Sequence, residues 1–303
     1  MQMPPYLKAG DTIGVMCPAG AVESAKMEAM YQQLRQWGYQ IEVGATVGNS
    51  YFRFAASDAE RLAELQSMLD NPKIKAILFG RGGYGSVRLI DKLDFTDFVK
   101  NPKWLVGYSD ITCFHSHLFS QIKVQSIHAH MGSAYQSDGR DEYSIQTINS
   151  ALSGTPLDYS IHAHKLNREG VAEGKLVGGN LALLSDLIGT ASGIETKDNI
   201  LFIEDVGEFP YNIDRMMWQL KRSGMLESLS GLLVGGFTDL QQNETAFGMT
   251  AYEIVMEKVK DYKYPICFDF PVGHQARNWA LKVGAPCRLE VGAEVRLKEM
   301  VLA

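Results

Sequence analysis

Apolar residues along this chain recur in two periods, and the periods alternate. Thr12–Met16 is a short apolar run of the kind a buried strand needs. Met27, Met30, Tyr31, Leu34 and Trp37 follow at helical spacing, and Gly38 is placed to end that helix. A second strand begins at 41–43. Ser57-Asp58-Ala59-Glu60 reads as a capping box, in which hydroxyl and carboxylate each satisfy a backbone donor left free at a helix start. Leu62, Leu65, Met68 and Leu69 line one face of the helix it opens, and Asn71-Pro72 stops it. Ile74–Phe79 and Trp104–Gly107 are apolar strands, a helical pattern covers 111–122, and a further strand is expected at 124–127. Apolar strands separated by amphipathic helices predict a parallel α/β sheet buried on both faces.

The pattern changes at 153–174. Gly154, Pro156, Gly170 and Gly174 sit among scattered polar residues with no helical period. The expectation is an α/β domain over 1–152, a strand-and-loop linker over 153–174, and a smaller α+β domain over 175–303. In the last, strands are expected at 200–203, 232–234, 266–270, 288–291 and 295–297. Helices are expected at 213–222 and after the capping box Thr250-Ala251-Tyr252-Glu253.

Composition narrows the function classes. The 303 residues are 46% hydrophobic and 21% charged, enough apolar material for a core and ordinary for a globular chain. Lys plus Arg is 29 against 35 Asp plus Glu, a net charge of −6, with no dense basic run. Nucleic acid is therefore not an expected partner. The N-terminus has no basic segment followed by an apolar stretch, and no run of about 18 apolar residues occurs. A cytoplasmic protein without a membrane partner is expected. Cys17, Cys113, Cys267 and Cys287 form no C-x-x-C pair and have mostly apolar neighbours, as buried thiols in a reducing compartment do.

Four segments could carry chemistry. Gly80-Arg81-Gly82-Gly83-Tyr84-Gly85 matches G-x-G-x-x-G, but it belongs to a later βα unit, and the acidic residue in range, Asp110, follows the next strand within a different motif. Its glycines still let backbone N–H groups converge on an anion, including a transient oxyanion. In Gly107-Tyr108-Ser109-Asp110 a buried strand runs into a serine and then a helix, the context of a nucleophile elbow, although Ile111 replaces the usual second glycine. A helix N-cap is the plainer reading of Ser109. Glu204, Asp205 and Glu208 crowd the end of an apolar strand, where they need partners or solvent. His274 follows a strand and a glycine. His128 and His130 have metal-like spacing, but no carboxylate or third histidine supports them, so no metal or other cofactor is expected. Ser109, Glu204 and His274 together make the residue set of a serine triad, each after a strand.

The chain resembles the LD-carboxypeptidase family, the murein tetrapeptide carboxypeptidases of bacteria, over nearly its whole length. The resemblance is carried by Gly10-Asp11-Thr12-Ile13-Gly14-Val15, Arg81-Gly82-Gly83-Tyr84-Gly85-Ser86 and Gly107-Tyr108-Ser109-Asp110. It continues through Gly178-Gly179-Asn180-Leu181, Glu204-Asp205-Val206-Gly207-Glu208, Ile213-Asp214-Arg215-Met216 and Gly273-His274. One departure is His128-Ala129-His130-Met131, where the family more usually has His-Gly-Pro-Met.

The resemblance implies a glutamine-amidotransferase-like α/β first domain, a smaller second domain and a site between them. It implies a homodimer acting in peptidoglycan recycling on the amide between meso-diaminopimelate and a terminal D-Ala. It makes Ser109 the nucleophile, His274 the base and acid, and Glu204 the residue that orients the imidazole. The choice of Glu204 over Asp205 or Glu208 comes from the family motif. The N–H of Asp110 and a glycine N–H from Gly82 or Gly83 are then the oxyanion donors. Arg81 and Tyr84 are expected to bind substrate, Arg81 by bidentate pairing with the terminal carboxylate. Arg215, inside a helix beside Asp214, is less suited.

Three alternatives stay open. Immunity peptidases of the microcin-C type share the triad but are generally longer, and their extra loop has no counterpart here. A dinucleotide-dependent oxidoreductase would use the Gly80–Gly85 loop. A non-enzymatic muropeptide-binding module would not need all three triad residue types.

Overall fold

Parallel strands cannot be joined by tight turns, so each strand of the first half needs a crossover before the next can pair. The computed structural model, which describes residues 1–136, 141–242 and 244–300, shows this alternation. In order come β1 (Thr12–Met16), α1 (Glu28–Gln36), β2 (Gln40–Val43), α2 (Asp58–Asp70), β3 (Ile74–Phe79), α3 (Thr96–Lys100), β4 (Trp104–Gly107), α4 (Thr112–His117) and β5 (Ser126–His128). β2, β1, β3, β4 and β5 are neighbours in that order and all parallel. The capping box at α2 forms in both directions, with Ser57 N–H donating to Glu60 Oε2 at 2.9 Å and Glu60 N–H donating to the Ser57 hydroxyl at 3.3 Å. Arg61 on the same helix is fully buried, held by Asp58 and by the carbonyls of Pro18 and Ala56. Apolar periodicity gave no sign of that burial.

The second half adds α5 (Glu142–Ser153), β6 (Asp158–His162), β7 (Gly170–Asn180), α6 (Leu181–Asp186), β8 (Ile200–Val206), α7 (Pro210–Arg222), β9 (Gly231–Thr238), α8 (Ala251–Val259), β10 (Ile266–Phe268), β11 (Leu281–Val283), β12 (Pro286–Val291) and β13 (Glu294–Glu299). Seven of these strands form a mixed sheet in the order β10-β9-β8-β7-β12-β13-β6, parallel from β10 to β7 and antiparallel beyond. The fold is therefore α/β, with five parallel strands making up most of the first sheet and a mixed second sheet. Segment 153–174 contributes β6 and the opening of β7 to the second sheet. β8 runs three residues beyond the apolar stretch, so Glu204 and Asp205 lie inside it.

The halves interlock. β11 leaves the second half and pairs antiparallel with β5, completing the first sheet as β11-β5-β4-β3-β1-β2. One core cluster takes in Val15, Leu78 and Val106 of the first sheet and Leu176, Phe202 and Leu233 of the second. All four cysteines are buried and free. Among the described residues no helix is long and apolar enough to cross a membrane.

An ion pair ties the two sheets together. Lys282 on β11 is fully buried and its ammonium lies 3.0 Å from the carboxylate of Glu299 on β13. Glu299 also accepts the Leu157 N–H at 2.9 Å. Removing one partner of such a pair strands a buried charge. Lys282→Met should lower stability to chemical denaturation by about 3–5 kcal/mol. The double variant Lys282→Met/Glu299→Leu should recover part of that loss, and an unchanged midpoint for Lys282→Met would show that the pair does not hold the sheets.

Candidate active site

Successive side chains on a strand point to opposite faces, and β8 separates its two adjacent carboxylates in this way. Glu204 is completely buried, and its Oε2 lies 2.7 Å from His274 Nδ1. Its Oε1 has no hydrogen-bond partner among the described residues. Asp205 faces the start of α6, where it accepts from Asn180 Nδ2 at 2.8 Å and the Ala182 N–H at 3.0 Å, and also from its neighbour's N–H on Val206 at 2.8 Å. Glu208 accepts from Asn212 Nδ2 at 2.7 Å. Of the three carboxylates, Glu204 is the one on the imidazole.

The approach of His274 depends on the residue before it. Gly273 has φ +111, and a Cβ there would come within 2.6 Å of Glu204 Cβ and 2.8 Å of its Oε2. Only glycine combines that backbone with that proximity. The Gly273 N–H donates to Asn278 Oδ1 at 2.9 Å, and the Thr238 hydroxyl donates to the His274 carbonyl at 2.8 Å, so the turn is held on both sides. A carboxylate accepting from Nδ1–H leaves Nε2 as the basic nitrogen.

Ser109 stands at the end of β4 with φ +63, after an extended Tyr108. A non-glycine residue in the left-handed region costs on the order of 1–3 kcal/mol, and such strain collects at functional sites. The N-cap positions of the turn Ser109–Ile111 and of α4 are Tyr108 and Ile111, so Ser109 caps neither. The neighbouring Tyr108 ring packs on the His274 ring with centroids 4.7 Å apart. Among the described residues the Ser109 hydroxyl makes no hydrogen bond to His274.

The glycine loop after β3 lies against this turn. A Cβ on Gly82 would sit 3.3 Å from the Asp110 nitrogen, so a side chain there would push the two backbones apart by a few tenths of an ångström. The Gly82 carbonyl accepts the Gly20 N–H at 2.8 Å, and Gly83 follows with φ +97. Asp110 is buried and its Oδ2 accepts the Ser86 N–H at 2.8 Å, which links the loop to the turn from below. The loop leads into a 3-10 turn at Ser86–Arg88, not into the α-helix that a dinucleotide site requires. Arg81 is exposed and donates from Nη1 to the Ala21 carbonyl at 2.7 Å. Tyr84 is exposed, with the Arg53 guanidinium 5.4 Å from its ring. Arg215 is turned toward its own helix, donating to Asn212 Oδ1.

His128 and His130 pack edge-on against Tyr108, and His115 lies beyond His128. His115 bonds Ser126 Oγ and the Gly107 carbonyl, each at 2.8 Å, and burial lowers its pKa to about 4. His128 is fully buried, both ring nitrogens lack partners among the described residues, and burial followed by its histidine neighbours depresses its pKa. His130 reaches the Ala276 carbonyl at 3.2 Å, in the loop just after His274. That contact and the Tyr108 packing escaped the sequence reading, because only the fold brings 108, 130 and 274 together. Among the described residues no group of three or more His, Cys, Asp or Glu is placed to hold a metal ion.

Comparison with known proteins shows the family. Residues 13–129 match the LD-carboxypeptidase N-terminal domain and residues 173–289 the LD-carboxypeptidase C-terminal domain. The probable murein peptide carboxypeptidase of Bacillus subtilis is 32% identical over 301 residues, covering 98% of this chain and 94% of the relative. The murein tetrapeptide carboxypeptidase of Pseudomonas aeruginosa is 30% identical over 289 residues, 92% of each chain. The crystal structure of muramoyltetrapeptide carboxypeptidase from Oxalobacter formigenes superposes with a TM-score of 0.86 at 27% identity, over 96% of this chain and 99% of that one. Microcin C7 self immunity protein, in complex with aspartyl sulfamoyl adenosine, superposes with a TM-score of 0.88 over all of both chains at 19% identity, a likeness of fold.

Asp205 supplies a pH test of the site. Burial first and the charge of Glu204 second push its pKa up to about 7, against the pull of its N–H donors. A carboxyl that binds its proton more tightly when folded favours the folded state at low pH and loses that advantage as pH rises between the unfolded and folded values. The stability of the wild type relative to Asp205→Asn should therefore fall from about pH 4 to about pH 7 and level off above. Thermal melts across that range check it, and a difference that grows with pH would mean that the donors outweigh burial.

Proposed function

The chain belongs to the LD-carboxypeptidase family, and we propose that it is a serine carboxypeptidase that hydrolyses the amide between the L-centre of meso-diaminopimelate and the terminal D-Ala of murein tetrapeptides. The observation that carries this reading is the buried Glu204 on His274 Nδ1, with a left-handed Ser109 one residue from the tyrosine that packs on that imidazole. The names of the relatives and the peptidase family support the substrate class.

In the proposed reaction His274 Nε2 takes the Ser109 proton as the oxygen attacks the carbonyl carbon. Catalytic hydrogen bonds commonly tighten only when substrate is bound, so the Ser109–His274 contact closes at that stage. Glu204 keeps Nδ1 protonated and stabilises the imidazolium. The Asp110 N–H and a glycine N–H from Gly82 or Gly83 receive the tetrahedral oxyanion. His274 then passes its proton to the leaving D-Ala amine, and a water deprotonated by His274 cleaves the acyl-enzyme. Arg81 and Tyr84 bind substrate, Arg81 through one of its carboxylates. No step uses a metal. We further propose that the enzyme acts as a cytoplasmic homodimer that recycles wall peptides. The immunity-peptidase alternative has only the fold likeness in its favour.

Incubation with L-Ala–γ-D-Glu–meso-diaminopimelate–D-Ala should release D-Ala, read by mass spectrometry. Ser109→Ala should keep the fold and lower kcat by roughly 10⁴–10⁶. Near-normal turnover in that variant would remove the serine mechanism.

The two faces of β8 give a second test. Glu204→Gln should lose roughly 10³–10⁴ in kcat, because the imidazole is then held in the wrong tautomer. Asp205→Asn should lose less than about tenfold, since its partners are Asn180 and the start of α6. A severe loss at Asp205 with little at Glu204 would reverse the assignment.

A further inference from the structure

In an open parallel sheet, ligands bind beyond the carboxyl ends of the strands. Ser109 occupies that edge at β4, and a cavity of about 780 Å³ continues along the same edge over β3, β1 and β2. Arg81 comes from the loop after β3, Glu23 and Lys26 from the segment after β1, and Asn49 and Ser50 from the loop after β2. One of its lining residues, Arg81, immediately precedes Gly82, whose backbone lies close to the Asp110 nitrogen. Neighbouring strands lie about 4.8 Å apart, so Arg81 is one strand from Ser109 and the body of the cavity two.

Its size and charge say what it takes. On the leaving side the tetrapeptide has only one small residue, a methyl group and a carboxylate, which a space of this volume far exceeds. The largest branch near the scissile bond is the diaminopimelate side arm, which ends in a D-centre bearing both an ammonium and a carboxylate. The cavity offers both complements. Among the described residues Arg81 has no acidic partner, and its bond to the Ala21 carbonyl aims the guanidinium along the wall. Glu23 lies 3.3 Å from Lys26 in a largely exposed pair. Such pairs contribute little, so Glu23 is available to a second cation and Lys26 to a carboxylate.

We propose that this cavity is the subsite for the zwitterionic end of the diaminopimelate side arm, with Arg81 and Lys26 on its carboxylate and Glu23 on its ammonium. This rests on the carboxypeptidase reading above and decides which substrate carboxylate Arg81 holds. It also makes Arg81 a specificity residue. A peptide with L-Lys in place of diaminopimelate keeps the ammonium, lacks the carboxylate and leaves the guanidinium unpaired.

The test compares the diaminopimelate tetrapeptide with its L-Lys counterpart, as kcat/KM for D-Ala release by wild type, Arg81→Gln, Arg81→Lys and Glu23→Gln. The wild type should prefer the diaminopimelate peptide, and Arg81→Gln should cut that preference roughly 10- to 100-fold, the scale of a charge-assisted bond. Arg81→Lys should restore part of it. Glu23→Gln should lower kcat/KM for both peptides and keep their ratio, because both present the ammonium. Acylation of Ser109 by a serine-reactive probe should persist in every variant, which shows an intact centre. No preference in the wild type, or an unchanged ratio in Arg81→Gln, overturns the proposal. If the wild type hydrolyses neither peptide, the carboxypeptidase reading fails instead. Calorimetry on the same proteins then reads the cavity: selective loss of affinity for the diaminopimelate peptide in Arg81→Gln supports it, and equal affinities overturn it.

Discussion

A carboxylate with no access to water must be met by a partner, and Glu204 is met by His274. Much of the local architecture follows from that single contact. Gly273 has to lack a side chain, because a Cβ would occupy the space of the Glu204 side chain. The turn that carries His274 has to be pinned, and Asn278, Thr238 and His130 pin it from three directions. Asp205, one residue on, has to find its charge complement elsewhere, at the start of α6.

The interlock of the two sheets brings that pair beside Tyr108, the residue before Ser109. The serine follows β4 of the first sheet, while Glu204 and His274 come from β8 and the loop between β10 and β11 in the second half. β11 returns to the first sheet immediately afterwards, and the Lys282–Glu299 pair fastens it to β13. The loop bearing His274 is thus stretched between two sheets with a shared core. An imidazole held by both halves is better located than one on a free loop, which would suit the proposed role of His274 as a base.

The remaining parts of the site are backbone. The Gly82–Asp110 approach and the left-handed Ser109 need main-chain positions that most side chains would prevent or strain. In the proposed reaction these positions serve the oxyanion, and the charged side chains Arg81, Lys26 and Glu23 serve recognition farther along the same sheet edge. Turnover and selectivity would then draw on different residues of one edge, Ser109 at β4 for the first and Arg81 beyond β3 for the second.

Local pattern carried a large share of this. The strands Thr12–Met16, Ile74–Phe79 and Trp104–Gly107, and the capping boxes at Ser57 and Thr250, were legible because each depends on residues within one turn or one strand. The strand–serine–helix context and the glycine before His274 were legible for the same reason. Burial of Arg61 and Lys282 was not, since each is satisfied by groups whose nearness only the packed chain creates. Nor was β11, whose three residues carry no period and pair with a strand more than 150 positions earlier. Glu204 and Asp205 show the boundary most clearly. Alternation along β8 dictates that they face opposite ways, and the residues alone determine that much. Which face meets an imidazole depends on where residue 274 arrives, and that is a property of the folded chain because no local spacing encodes it.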